Sequence, residues 1–159
     1  MWWSDRRAIL LALTALAGCG FAPVYAPGST ASQLRDQTAI TAPETVEGYR
    51  LLQALRDRLG DSSSPAYALQ VTLSISEVAA ATTAQGSTTR YTLPGTATYS
   101  LTTLAGTALA QGTVDNFTSY SATGTTVATS AAQTDARARL AQILADQIVT
   151  RLSVADLSP

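Results

Sequence analysis

The sequence predicts an α+β domain: a two-layer sandwich with two helices packed on one face of a mostly antiparallel sheet of about four strands, ordered β-α-β-β-β-α. Three observations carry this expectation. Two segments, 45–59 and 131–152, repeat apolar residues at helical intervals. The chain between them alternates apolar and polar residues with a period of two. The helical and strand segments are segregated along the chain, as expected when helices cover a single sheet face.

Taken in order, Thr38–Thr41 reads as a short strand before Pro43. Leu51, Leu52, Leu55 and Leu59 then form a helical stripe opposite Arg50, Gln53, Arg56, Asp57 and Arg58, and Gly60 supplies the stop. From Tyr67 the period changes, with Leu69, Val71, Leu73 and Ile75 alternating with Gln70, Thr72, Ser74 and Ser76 as in a half-buried strand. Ala79–Thr89 is small and polar and suits a flexible hairpin loop. A second alternation places Tyr91, Leu93, Ala97, Tyr99 and Leu101 on one side, and Pro94-Gly95 inside it favours an edge or a bulge. Ala105-Gly106 marks a turn into a third strand at about 107–120, whose pattern slips near Gly112. After a loop at 121–129, Ser130 and Gln133 have the spacing of a capping box. Leu140, Ile143, Leu144, Ile148 and Leu152 then form the apolar stripe of the last helix. The sheet face opposite the helices is lined by Thr, Ser and Gln and is left for water or a partner.

The N-terminal residues have a different logic. Arg6 and Arg7 form a basic segment, Ala8–Ala17 an apolar one, and Leu16-Ala17-Gly18-Cys19 sets small residues before the one cysteine of the chain. This is the layout of a lipoprotein signal peptide, cleaved between Gly18 and Cys19 with acylation of the Cys19 thiol. The apolar run falls short of the roughly 20 residues that span a bilayer. The expected division is a signal peptide at 1–18, a lipidated tether at 19–33 and a single domain at 34–159. The tether is rich in Pro, Gly and Ser and reads as extended, although Phe21, Val24 and Tyr25 are apolar enough to pack on the domain or a partner.

Composition narrows the function. Charged residues make up 13% of the chain, and cleavage before Cys19 would leave a formal charge of −2, so a nucleic-acid partner is not expected. There is no His and no Lys, and the thiol would be consumed as a thioether, so the usual nucleophiles and near-neutral bases are missing. The carboxylates are scattered: there is no D-x-D cluster, and Glu44 and Glu47 are the one pair at E-x-x-E spacing, so little suggests a metal site or a paired acid and base. No G-x-S-x-G or S-x-x-K motif supports a hydrolase. A non-enzymatic protein, with no cofactor beyond the diacylglycerol and N-acyl lipid on Cys19, is expected.

Cys19-Gly20-Phe21-Ala22-Pro23-Val24-Tyr25 resembles the C-G-F-x-P-x-Y start of mature proteins in the LptE family of lipopolysaccharide-assembly lipoproteins. The helix from Tyr49 to Leu59, Tyr91 and Tyr99 in the central strand, and the run Tyr120–Arg139 with its Asp135-Ala136-Arg137 are similar as well. The resemblance implies a lipid-anchored protein on the periplasmic face of the outer membrane. Its partner would be the β-barrel LptD, which it plugs while the pair delivers lipopolysaccharide to the outer leaflet. An uncharged Thr/Ser/Gln face is compatible with the polar interior of a wide barrel. Gly20, with no Asp after the cysteine, fits export to the outer membrane.

A lipopolysaccharide site needs cations for phosphate, and without Lys only Arg can supply them. Arg90, beside Tyr91 at the mouth of a strand pair, is the candidate phosphate contact; the competing reading is a solvated arginine at a loop end. Arg56, Arg58, Arg137 and Arg139 read as solvated helix faces, and Tyr25, Tyr99 and Tyr120 as packing residues. The alternative function is an auxiliary lipoprotein of an intermembrane phospholipid-transport system, whose partner would not be an LptD barrel.

Overall fold

The computed structural model describes residues 28–157, so Gly18, Cys19 and most of the expected tether lie outside the described residues. The order is α1 (Thr30–Leu34), β1 (Thr38–Thr41), α2 (Val46–Leu59), β2 (Tyr67–Ile75), β3 (Val78–Thr82), β4 (Thr88–Thr103), β5 (Ala108–Ser121) and α3 (Thr126–Ser153). The α+β expectation holds, with a third short helix and a fifth strand added.

β4 organises the sheet. One of its edges pairs antiparallel with β5 from Arg90↔Ser121 to Thr102↔Ala108. Its other edge is shared by β2, from Gly95 to Thr103, and by β3, from Thr88 to Thr92. β1 pairs parallel with β2 over Thr38↔Tyr67 to Thr41↔Gln70, the two being joined by the helical crossover a parallel pair requires.

The alternation in β2 and β4 directs Leu69, Val71, Leu93, Ala97, Tyr99 and Leu101 inward, where they meet Leu51, Leu55 and Leu59 of α2 and Leu140, Leu144, Ile148 and Leu152 of α3. Burying these side chains supplies the main favourable free energy of the fold. One inward polar group is satisfied by a helix: buried Thr118 Oγ1 donates to the Ala136 carbonyl at 2.9 Å.

Several details differ from the sequence reading, each for a local reason. The expected loop at 79–89 contains β3 and tightens to a turn at 83–87, because all five β3 residues are exposed and no buried face imposes an alternation. Pro94-Gly95 marks neither an edge nor a bulge; it lies within interior strand β4, in regular register with β5. β2 ends opposite Gly95 and β3 begins opposite Thr92, so the missing Pro94 N–H falls at the step between them. There the Pro94 carbonyl accepts from the Ser76 N–H at 3.0 Å.

The slip in β5 is a bulge. Leu101 pairs with Ala110 but Thr102 with Ala108, which takes Leu109 out of the ladder. Gly112 then faces inward beneath Tyr99, where a Cβ would meet the phenol oxygen at 2.8 Å. The last helix starts five residues before the expected 131, capped by Thr125, whose side chain accepts from the Ala128 N–H, and not by Ser130. Val127 is exposed in the first turn, so the apolar stripe is silent there. Residues 30–33, read as extended tether, form α1 because Ser29 caps the turn and Ala31 and Leu34 are buried. Thr30 Oγ1 also ties this turn to the Ala155 carbonyl at 3.1 Å.

Candidate functional site

Strand alternation places the even-numbered residues of β4 on the face away from the helices. Thr96 and Thr98 are exposed there, flanked by Thr72 and Ser74 of β2 and Thr113 and Asp115 of β5. Thr98 and Thr113 hydroxyls lie 3.1 Å apart across the strands. Hydroxyls and amides dominate this surface, as the alternation predicted.

At one end of this face stands Arg90, exposed, opposite Ser121 on β5 and Ala81 on β3. It makes no ion pair or side-chain hydrogen bond among the described residues. Its neighbour Tyr91 faces the other way and stacks on Tyr120, with centroids 5.3 Å apart and planes at 17°. Tyr99 and Tyr120 are core residues, as read from the sequence, whereas Tyr25 lies outside the described residues.

Most other arginines are committed to structure. Arg137 of α3 binds Glu47 of α2 at 2.9 Å and approaches Glu77 at 3.8 Å. Arg58 of α2 pairs with Asp146 of α3 and also donates to the Ala54 carbonyl. Arg50 reaches across from α2 to the Thr134 carbonyl. Arg58 and Arg137 are therefore half-buried clamps between the two helices, a correction to their reading as solvated charges. Arg56 pairs loosely with Asp61 at 3.7 Å, and Arg139 with Asp135 one helical turn away.

The sequence reading missed Glu77, between β2 and β3, which accepts from Gln133 Nε2 at 2.6 Å. It also holds the Tyr120 phenol pKa up, although burial of that ring is the larger cause. Glu77 and Arg137 together pin the start of the β3–β4 hairpin to α3. The Arg137 guanidinium, through its hydrogen bond, holds the Glu47 carboxyl below its ordinary value against the opposing cost of burial. A depressed carboxyl contributes stability above its unfolded-state pKa of about 4.3 and loses it as pH falls through the folded value. Acid titration of Glu47→Gln, followed by urea unfolding, should give a flatter loss of stability below about pH 4.3 than the parent. Equal slopes would show that the pair is energetically silent. Among the described residues no three His, Cys, Asp or Glu side chains come together to hold a metal ion.

Comparison with known proteins agrees with this architecture. A lipoprotein from Caulobacter crescentus CB15 superposes with a TM-score of 0.63 at 26% identity, covering 78% of this chain and 92% of that one. A minor lipoprotein from Acinetobacter baumannii gives 0.58 at 19% identity, with 78% and 96% covered. Rare lipoprotein B from Shewanella oneidensis gives 0.57 at 14% identity, with 74% and 93% covered. The last two likenesses are of fold alone. No curated protein matches the sequence. The model of the lipopolysaccharide-assembly family LptE matches residues 33–152, from α1 to the end of α3. The chain belongs to the LptE family.

Proposed function

We propose that this protein is an outer-membrane lipoprotein, anchored on the periplasmic face through acylated Cys19, that occupies an LptD-type β-barrel and assists lipopolysaccharide assembly. The observation that carries the reading is the open sheet face, rich in Thr and Ser, with Arg90, which has no partner among the described residues, at one end. A barrel lumen is polar, so a plug must offer hydrogen-bonding groups and avoid burying unpaired charge. Hydroxyls satisfy that demand cheaply because each can turn to donate or accept. A guanidinium without a partner among the described residues can take a phosphate oxygen pair, the charge-assisted geometry for which arginine is suited. The lipid supplies the membrane tether: several acyl chains, each methylene contributing about 0.8 kcal/mol, hold a protein firmly on a bilayer.

Purification of the tagged full-length protein from membranes in mild detergent tests this. The expected result is a one-to-one complex with a β-barrel protein, together with an N-terminal fragment whose mass shows acyl chains on Cys19. Depletion should leave that barrel misassembled and the cell surface poor in lipopolysaccharide. An unacylated Cys19, or normal barrel assembly and normal surface lipopolysaccharide on depletion, would overturn the reading. Arg90→Glu should weaken binding of purified lipopolysaccharide about tenfold, the loss expected for one charge-assisted hydrogen bond, with an unchanged thermal melt.

A further inference from the structure

The free edge of β5 is closed towards its end and open in its middle. Just beyond the Arg90↔Ser121 pair, the Ala122 N–H donates to the Thr89 carbonyl at 2.9 Å. Bonded and non-bonded pairs alternate along an antiparallel ladder. Between Ala110 and Ser121 the even-numbered residues of β5 are therefore bonded to β4, and the odd-numbered ones direct N–H and C=O to the free edge. Two of these outward groups are taken. The Phe117 N–H donates to Asn116 Oδ1 at 2.8 Å, and Arg139 Nη2 of α3 donates to the Ser119 carbonyl at 3.5 Å. The outward groups of Gln111, Thr113 and Asp115 have no partner among the described residues. No Lys, Arg or Pro on β5 blunts the edge, and Asp115 is its one charge. Beside this stretch lies a groove of about 250 Å³ between Val114 and Asp115 of β5 and Gln147, Thr150 and Arg151 of α3. Gln147 Oε1 is buried with no hydrogen-bond partner among the described residues, a costly state that an incoming donor would relieve.

The residues that precede the described chain match this edge in reach and in phase. α3 runs antiparallel to β5, with Ala136 against Thr118 and Gln147 beside Val114, so Ala155 lies towards the Ala108 end. Thr30, bonded to Ala155, brings the start of the described chain to the same end. Fully extended, residues 20–27 span about 26 Å, against about 13 Å from Gln111 to Asp115. A segment that lies along the edge and arrives at Gly28 runs antiparallel to β5, and Gly28, at φ 88°, permits the turn into α1. Pro23 and Pro27 share one parity, so both fall where a strand needs no N–H. Ala22, Val24 and Ala26 are then left to exchange N–H and C=O with Asp115, Thr113 and Gln111. The same register sets Phe21, Pro23 and Tyr25 on the helix side, over the groove, and Tyr25 is the one hydroxyl donor between Gly20 and Pro27. We propose that residues 21–26 add to the free edge of β5 as an antiparallel strand, with the Tyr25 hydroxyl donating to Gln147 Oε1. The chain would then leave the domain towards Cys19 beside Asn116, which fixes how the domain stands relative to its N-terminal anchor.

Amide hydrogen exchange on the full-length protein in detergent tests this. In the parent, the Gln111, Thr113 and Asp115 amides should be protected. Val24→Pro, which removes a ladder donor, should speed their exchange about tenfold or more while the Val114 amide, bonded to β4, and the melting temperature stay as in the parent. Phe21→Pro alters a residue whose N–H faces away from β5, so it should keep most of the protection. Equal Thr113 exchange in the parent and Val24→Pro would overturn the proposal, and equal losses in the two proline variants would overturn its phase. Thr113 protection that rises with protein concentration would assign the edge to a second copy of the chain. Protection present only when another protein co-purifies would assign it to a partner's strand, and either result refutes docking of the chain's own segment.

Discussion

Leu144→Asp is expected to unfold the domain. Leu144 is fully buried midway along α3, in the cluster that joins both long helices to β2, β4 and β5. Removing a buried leucine alone costs about 2–5 kcal/mol. The aspartate adds a charge with no partner in that apolar cluster, which either remains ionised at a further cost of several kcal/mol or takes up a proton. A domain of this size is typically stable by about 5–15 kcal/mol, so the combined loss reaches the scale of the whole. Far-UV circular dichroism and size exclusion should show loss of the cooperative melt. Leu144→Met, which conserves volume, should cost less than about 1.5 kcal/mol. A normal melt for the aspartate variant would mean that α3 presents a different face.

Gly48→Ala tests the start of α2, and helix propensity predicts its sign wrongly. Alanine is favoured over glycine by about 1 kcal/mol in a helix interior, so an exposed exchange would stabilise. Here an added Cβ would stand 2.1 Å from the Pro43 carbonyl oxygen and 3.0 Å from its carbon. Backbone cannot rotate aside as a side-chain tip can, and the same oxygen accepts the Thr45 N–H at 2.8 Å. The segment Pro43–Thr45 must therefore move, which weakens the cap that Thr45 Oγ1 provides to the Gly48 N–H at 3.0 Å. The net expectation is a loss of about 2–3 kcal/mol, combining overpacking and a damaged cap and partly offset by propensity. Urea unfolding at constant m-value measures it, and a higher midpoint than the parent would contradict the close approach.

Wherever a buried face imposed a period, the residues revealed the fold. Leu69 to Leu73 and Leu93 to Leu101 announced their strands, Leu51 to Leu59 and Leu140 to Leu152 their helices, because each stripe must meet the core. β3 was silent because Val78–Thr82 buries nothing, and the first turn of α3 because Val127 faces solvent. Pro94 misled because its cost depends on where β2 hands over to β3, a tertiary fact absent from local chemistry. The polar sheet face was legible from alternation, and so was an exposed Arg90 upon it. The exposure of Phe117 was not, since that residue can be assigned a face only after the bulge at Leu109 has set the phase of β5. The Arg137–Glu47 and Arg58–Asp146 pairs join residues far apart in sequence, which no reading of either helix alone could supply.

The sharing of β4 between β2 and β3 on one edge and β5 on the other has a dynamic consequence. The β4 amides bonded to β2 or β5 exchange with solvent only through openings close to global unfolding. β1, held to β2 along four residues, and β3, wholly exposed and twice shifted in register, can open without disturbing that strand. Hydrogen exchange should therefore rank β4 slowest and β3 among the fastest. Opening is thus expected to concentrate beside Arg90 and Val78, while the core beneath the hairpin stays fixed.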